Sequence, residues 1–207
     1  MNKFQIAMNE LPLVAILRGL KPSEAQAIGA VLVEAGFRLI EVPLNSPQPL
    51  ESIALLKKQF PQALVGAGTV LKPQDVRDVA AAGGELIVAP NFNRDVVVET
   101  VKRGLISLPG ILTPTEAFAA LDAGAHGLKL FPSEIASPAV VKAMLAVLPK
   151  GTPIVPVGGI GADNMKPWRA AGAAGFGLGS SLYKPGDDAA AVRAQAAAIV
   201  AAWRALT

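Results

Sequence analysis

Charged residues make up only 17% of this 207-residue chain, and three of them fall where apolar residues are expected. Arg18 closes the run Leu13-Val14-Ala15-Ile16-Leu17. Glu41 stands inside Leu39-Ile40-Glu41-Val42-Pro43, and Lys129 inside Leu128-Lys129-Leu130-Phe131-Pro132. A lysine taken out of water holds its proton less tightly, so its neutral amine can attack a carbonyl carbon. A carboxylate within reach can move the protons that such an attack requires. An arginine at the rim is suited to clamp a carboxylate, because its planar fork matches the two oxygens. The same three residues also fit a blander arrangement: a buried structural ion pair, with Arg18 a surface residue on a packed stem.

Spacing favours the chemical arrangement. Glu41 and Lys129 are each the fifth residue after a glycine that ends a helical segment, Gly36 and Gly124. Equivalent positions in equivalent units should point the same way, either inward or toward the covering helices. Outward placement would cost several kcal/mol for each buried charge, roughly. Two glycine-rich runs supply a second clue. Val157-Gly158-Gly159-Ile160-Gly161 and Gly177-Leu178-Gly179-Ser180-Ser181 follow the last two strand candidates, where backbone N–H groups and a helix N-terminus can hold a phosphate. Thr69 and Pro90 are expected at the rim of the same pocket. Ser133-Glu134 either touches substrate or starts a turn. His126, early in its strand, reads as packing or surface. Trp168, Trp203 and Tyr183 read as packing, within the chain or between subunits.

The elements that must position these residues form a repeat. A small-residue step ending in glycine, at Gly36, Gly83, Gly124 and Gly172, precedes an apolar run each time, with Gly104 a shorter relative. Glycine is the expected residue after a helix, and a short apolar run after it is a buried parallel strand. Helix starts are equally regular. Lys21-Pro22-Ser23-Glu24, Lys72-Pro73-Gln74-Asp75 and Thr113-Pro114-Thr115-Glu116 put proline first and an acid in the first turn, the last as a capping box. Strands are predicted at Leu13–Leu17, Leu39–Pro43, Leu64–Gly68, Leu86–Ala89, Ile106–Pro109, Gly127–Leu130, Ile154–Val157 and Gly175–Leu178. Helices fall between them, with a closing helix over Asp187–Leu206 and a short one over residues 2–10. Eight βα units without a composition break predict an α/β chain folded as a single (β/α)8 TIM barrel domain over 1–207. A doubly wound open sheet is the alternative.

Composition excludes several classes. There is no cysteine, which removes disulfides and thiolate chemistry, and a single histidine is too few for a histidine metal site or a serine-type triad. The net charge of +3 is scattered, without the basic stripe and aromatic platforms of a nucleic-acid surface. No apolar stretch approaches the ~20 residues of a membrane helix. No signal peptide is visible at Met1-Asn2-Lys3-Phe4-Gln5, and a cytoplasmic location is expected. The partner implied is a small anionic molecule, with neither nucleic acid nor membrane.

Five stretches carry a family resemblance: Ile16-Leu17-Arg18-Gly19, Ile40-Glu41-Val42-Pro43-Leu44-Asn45-Ser46-Pro47, Gly66-Ala67-Gly68-Thr69-Val70, Leu128-Lys129-Leu130-Phe131-Pro132 and Val157-Gly158-Gly159. Across essentially its whole length the chain resembles the 2-keto-3-deoxy-6-phosphosugar-acid aldolases. The resemblance implies a homotrimer of (β/α)8 barrels working without metal or other cofactor. It implies Lys129 as Schiff-base lysine, Glu41 as proton shuttle, and Arg18 with Thr69 at the substrate carboxylate. Gly158, Gly159, Gly179 and Ser180 would hold the phosphate, with Val157, Pro90 and Phe131 shaping the pocket. The pattern looks closest to the galactonate-type branch. Pro43-Leu44-Asn45-Ser46 lacks the arginine of gluconate-type members, leaving its task to Arg18. Val157 replaces their threonine near C4, where the two sugar acids differ. Ser133-Glu134 instead looks partly gluconate-like, so gluconate-type or dual specificity stays open. A phosphosugar isomerase or epimerase using Glu41 as base, and a non-catalytic phosphometabolite-binding barrel, are the rivals from other classes.

Overall fold

The computed structural model describes residues 3–206; the parts of the terminal expectations that fall on residues 1, 2 and 207 lie outside them. The strands are β1 (Leu13–Ile16), β2 (Leu39–Pro43), β3 (Leu64–Gly68), β4 (Leu86–Val88), β5 (Ile106–Leu108), β6 (Gly110–Ile111), β7 (Leu128–Leu130), β8 (Ile154–Pro156) and β9 (Phe176–Leu178). The helices are α1 (Lys3–Glu10), α2 (Pro22–Glu34), α3 (Pro49–Gln59), α4 (Pro73–Ala81), α5 (Arg94–Lys102), α6 (Pro114–Asp122), α7 (Pro138–Leu145), α8 (Met165–Ala170) and α9 (Ala189–Arg204).

The repeat has a local cause at each end of a helix. Gly36, Gly83, Gly124 and Gly172 take φ of 106°, 84°, 97° and 103°, a region that a Cβ would make costly. At the other end, first-turn acids reach back to free amides. Glu24 Oε2 accepts from Lys21 N at 3.0 Å, Asp75 Oδ2 from Lys72 N at 3.2 Å, and Glu116 Oε2 from Thr113 N at 2.8 Å. The predicted capping box closes, since Thr113 Oγ1 accepts from Glu116 N at 3.3 Å.

All strand pairs are parallel. One sheet runs in the order β5-β4-β3-β2-β1-β9 and a second in the order β6-β7-β8. The predicted strand Ile106–Pro109 splits here: Pro109 has no N–H to give the ladder, so β5 ends before it and β6 begins after it. Pro109 still accepts from Lys129 N at 2.9 Å. At the other seam Val157 bridges Gly177, and Ala174 N donates to Ile154 O at 2.9 Å. The remaining predicted strands match within one residue at either end, and the closing helix is trimmed to Ala189–Arg204.

Alternate strand residues divide the core in two. Ile40, Val42, Leu128, Leu130 and Ile154 pack with the helices, while Leu39, Leu64, Leu86, Ile106 and Val155 form a second, enclosed cluster. α1 caps the enclosed cluster through Phe4 and Ala7, and Lys3 and Lys57 both pair with Glu85 to hold it there. Among the described residues no helix is long and apolar enough to cross a membrane.

Close strand approach makes one glycine indispensable. Gly66 pairs with both Glu41 and Leu86, and a Cβ built on it would lie 1.8 Å from the Leu86 carbonyl oxygen. Gly66→Ala should destabilise the fold by about 3 kcal/mol or more, since backbone rather than a side-chain tip must yield. Thermal unfolding measures this, and an unchanged midpoint would contradict the close β3–β4 approach.

Candidate active site

At the C-terminal ends of the strands lies a cavity of about 520 Å³. Arg18, Lys129, Phe131, Val157, Gly158, Gly159, Gly179 and Ser180 all line it, contributed by the ends of β1, β7, β8 and β9. The expected pocket residues Thr69 and Pro90 are not part of its wall. Thr69 instead stands out by its backbone, with φ at 57°. That is unusual for a β-branched residue and costs on the order of 1–3 kcal/mol.

Glu41 and Lys129 are 1% and 6% exposed. Their strand neighbours Ile40, Val42, Leu128 and Leu130 face the helices, so alternation turns both charged side chains to the enclosed side. The Glu41 carboxyl lies against β3, where a Cβ on Gly68 would fall 1.8 Å from Oε2. Oε2 has no hydrogen-bond partner among the described residues. Burial pushes Glu41 up to about 7, against the pull of the Lys129 and Arg18 charges. Burial also pushes Lys129 below the ordinary lysine range; the Glu41 charge opposes this and Arg18 adds to it. Lys129 Nζ sits 4.7 Å from the centroid of the Phe131 ring.

Polar loop residues complete the surroundings. Arg18 Nη1 donates to Asn45 Oδ1 at 2.8 Å, and Gly19 N donates to Ser46 Oγ at 2.9 Å, so the loop after β2 holds the loop after β1. Beyond β8, Ser133 Oγ donates to Gly158 O at 2.6 Å, Asn164 Nδ2 to Gly159 O at 2.7 Å, and Ser181 Oγ to Ile160 O at 2.7 Å. Ser133 belongs to a 3-10 turn over Ser133–Ile135. Glu134 also lines the cavity, and its carboxylate lies over the glycine run: a Cβ on Gly158 would fall 2.0 Å from Glu134 Oε2.

Of the residues read as bland, His126, Trp168 and Trp203 stay away from this end, whereas Tyr183 lines the cavity. His126 Nδ1 accepts from Ser107 N at 3.2 Å, and half-burial lowers its pKa. It lines a larger cavity, about 780 Å³, whose wall includes Phe4 and Met8 of α1 and contains neither Glu41 nor Lys129. Trp168, Trp203 and Tyr183 are 7%, 6% and 2% exposed, so they pack within the chain. Trp203 packs edge-on to Phe176 with ring centroids 5.9 Å apart. Among the described residues there is no group of three or more His, Cys, Asp or Glu side chains that could hold a metal ion.

The family model for KDPG and KHG aldolases matches residues 5–195. A protein of Escherichia coli (strain K12), 2-dehydro-3-deoxy-6-phosphogalactonate aldolase, is 47% identical over 94% of this chain and 96% of its own length. A solved structure described as native KDPGal is 46% identical, covers 95% of this chain and 96% of its own, and superposes with a TM-score of 0.94. A cube-shaped protein cage, designed by fusing symmetric oligomeric domains, is 46% identical over 95% of this chain and 73% of its own, with a TM-score of 0.93.

The raised Glu41 pKa has a stability consequence of fixed sign. A carboxyl whose folded pKa lies above its ordinary value favours the fold while protonated, so its contribution is complete below about 4.5 and lost as pH rises through about 7. Glu41→Gln carries no charge to desolvate. Relative to the parent, it should therefore gain stability from pH 5 to pH 8, by up to about 3 kcal/mol. Urea unfolding at the two pH values measures the difference; a gain at pH 5 but none at pH 8 would contradict it.

Proposed function

The chain belongs to the KDPG and KHG aldolase family and is a carbon–carbon lyase; we propose that it cleaves 2-dehydro-3-deoxy-6-phospho-D-galactonate to pyruvate and D-glyceraldehyde 3-phosphate through a Schiff base on Lys129. The observation that carries this reading is a buried lysine, its pKa lowered by burial, on the same enclosed side as a buried carboxyl with one unpartnered oxygen. A lysine in that state is a nucleophile, and a carboxyl near pH 7 can both give and take a proton.

In the proposed sequence the neutral Lys129 amine adds to the C2 ketone, and the carbinolamine loses water to give an iminium. Glu41 takes the C4 hydroxyl proton. The C3–C4 bonding pair then flows into the iminium, leaving an enamine as the phosphorylated aldehyde departs. Protonation at C3 and hydrolysis release pyruvate and restore the amine. Arg18, steadied by Asn45, takes the substrate carboxylate with Thr69; Gly158, Gly159, Gly179 and Ser180 take the phosphate. The Thr69 backbone strain is in keeping with a functional position. The galactonate choice draws support from the Escherichia coli relative and from Val157, an apolar residue 7% exposed in the cavity wall. A gluconate-type or dual specificity is the second reading, favoured by the Glu134 carboxylate inside the cavity.

The same reading takes residues 1–207 as one (β/α)8 barrel, in which the Val157–Gly177 bridge and the continuity through Pro109 join the two sheets. It takes the working form as a cytoplasmic homotrimer; the symmetric oligomeric domains of the designed cage support an oligomer.

Borohydride reduction in the presence of pyruvate should fix pyruvate irreversibly to Lys129, read by mass spectrometry of the digested protein. An unmodified Lys129 would sink the mechanism and favour the isomerase or epimerase alternative. Glu41→Gln should lower kcat by about 10²–10⁴-fold while trapping persists. Because the Glu41 charge raises the Lys129 pKa, trapping in that variant should begin at lower pH than in the parent. Val157→Thr should shift the kcat/KM ratio of the two C4 epimers toward the gluconate by about tenfold, one hydrogen bond's worth. A ratio that does not move would remove Val157 from the specificity argument.

A further inference from the structure

Three side chains from three different loops bind three consecutive carbonyls: Ser133 to Gly158, Asn164 to Gly159, and Ser181 to Ile160. In a trans peptide the carbonyl of one residue and the N–H of the next point in opposite directions. Holding the carbonyl of Gly158 therefore aims the N–H of Gly159 away from Ser133. Holding the carbonyl of Gly159 aims the N–H of Ile160 away from Asn164. Neither of these two amides donates to a backbone carbonyl among the described residues, and both residues line the 520 Å³ cavity. Asn164 is used twice, since its Oδ1 also accepts from Gly161 N at 3.0 Å and closes the turn from the other side. Gly158 and Gly159 take φ of 108° and 65°, a backbone shape that is not the resting preference of most sequences and needs holding. Ser133 is itself fixed, its N donating to Val157 O at 2.9 Å.

We propose that Ser133, Asn164 and Ser181 are positioning residues that preset the phosphate-binding backbone by holding its carbonyls, so that two adjacent amides are left available at the cavity wall before substrate arrives. This rests on the reading that Gly158 and Gly159 receive the substrate phosphate. None of the three side chains need touch the phosphate. Their effect is to spare binding the work of ordering a glycine turn, which is where preorganised sites gain affinity.

The test compares glyceraldehyde 3-phosphate with unphosphorylated glyceraldehyde as the aldehyde condensed with pyruvate. Asn164→Ala and Ser181→Ala should each cut the kcat/KM preference for the phosphorylated aldehyde by about tenfold, chiefly through its KM. Ser181→Thr, which keeps the hydroxyl, should recover most of the preference. Pyruvate trapping on Lys129, which involves no phosphate, reports whether each variant has folded; Ser181→Ala stands in if Asn164→Ala does not. Variants that keep the parent's preference, or lose activity equally toward both aldehydes, overturn the positioning role alone. A parent enzyme indifferent to the phosphate overturns the phosphate reading and the proposal with it. A parent that traps no pyruvate overturns the aldolase mechanism itself.

Discussion

Two ionisable side chains of opposite sign are kept out of water on the enclosed face of parallel strands, and the rest of the architecture has to accommodate them. Removing one such charge from water costs several kcal/mol even after relaxation. Burying one leucine beside it contributes roughly 2 kcal/mol. Leu128 and Leu130, which flank Lys129 and are fully buried, are thus only comparable to the desolvation of that single ammonium. The cost is reduced by changing the charge state. Burial drives Glu41 up and Lys129 down, each toward its neutral form, while their mutual attraction drives both back. Because each charge shifts the other, the two sites titrate as a coupled pair. That is a useful condition for a group that must be an amine in one step and sit beside a proton donor in the next.

Space for the pair comes from missing side chains as much as from present ones. Gly68 leaves the volume that the Glu41 carboxyl occupies, and Gly66 lets β3 approach the Leu86 carbonyl closely enough to set that register. At the second seam, a Cβ on Gly110 would strike Pro90 O at 2.2 Å, next to where Lys129 pairs with Gly110. Glycines on neighbouring strands therefore fix how near Glu41 and Lys129 come to the mouth, and the same close approach excludes water from beneath them.

How much of this was legible in the sequence depends on contrast. A glutamate and a lysine inside apolar runs contrast sharply with their neighbours, and the repeated glycine gave them a shared frame, so their common direction followed from alternation alone. Helix starts were legible because proline and a first-turn acid have one local purpose. The break at Pro109 was visible as a residue type, but whether pairing resumes beyond it depends on the neighbouring strand. Asn45, Ser46, Asn164 and Ser181 were illegible for the opposite reason. Polar residues in loops look alike in sequence, and what distinguishes these four is which carbonyl, amide or guanidinium the fold brings within 3 Å of them. Thr69 reads as a rim residue in the sequence, but its strained backbone shows only once its φ is known. The indole and phenol side chains read as packing groups in the sequence, and their burial places that packing within the chain.

Glu134 shows how the two ends of the site differ in kind. The carbonyl-reactive end is made of side chains whose charges oppose one another at fixed positions. The far end is made of backbone, and there Glu134 lays a carboxylate over the same glycines that the proposed reading gives to a phosphate. Two anions do not share a set of amides without strong repulsion. On that reading the carboxylate swings away as substrate enters, and the backbone around it stays still. Ser133 is fastened through both its N and its Oγ, and the Gly158, Gly159 and Ile160 carbonyls are each held by a side chain. The cavity wall also carries Arg18 and Lys184, whose positive charge favours an entering anion, against the negative charge of Asp163. On the proposed reading, a backbone shelf held in this way, with the Glu134 carboxylate over it, selects by charge and by reach together: only a ligand long enough to bring its phosphate to the glycines competes with that carboxylate.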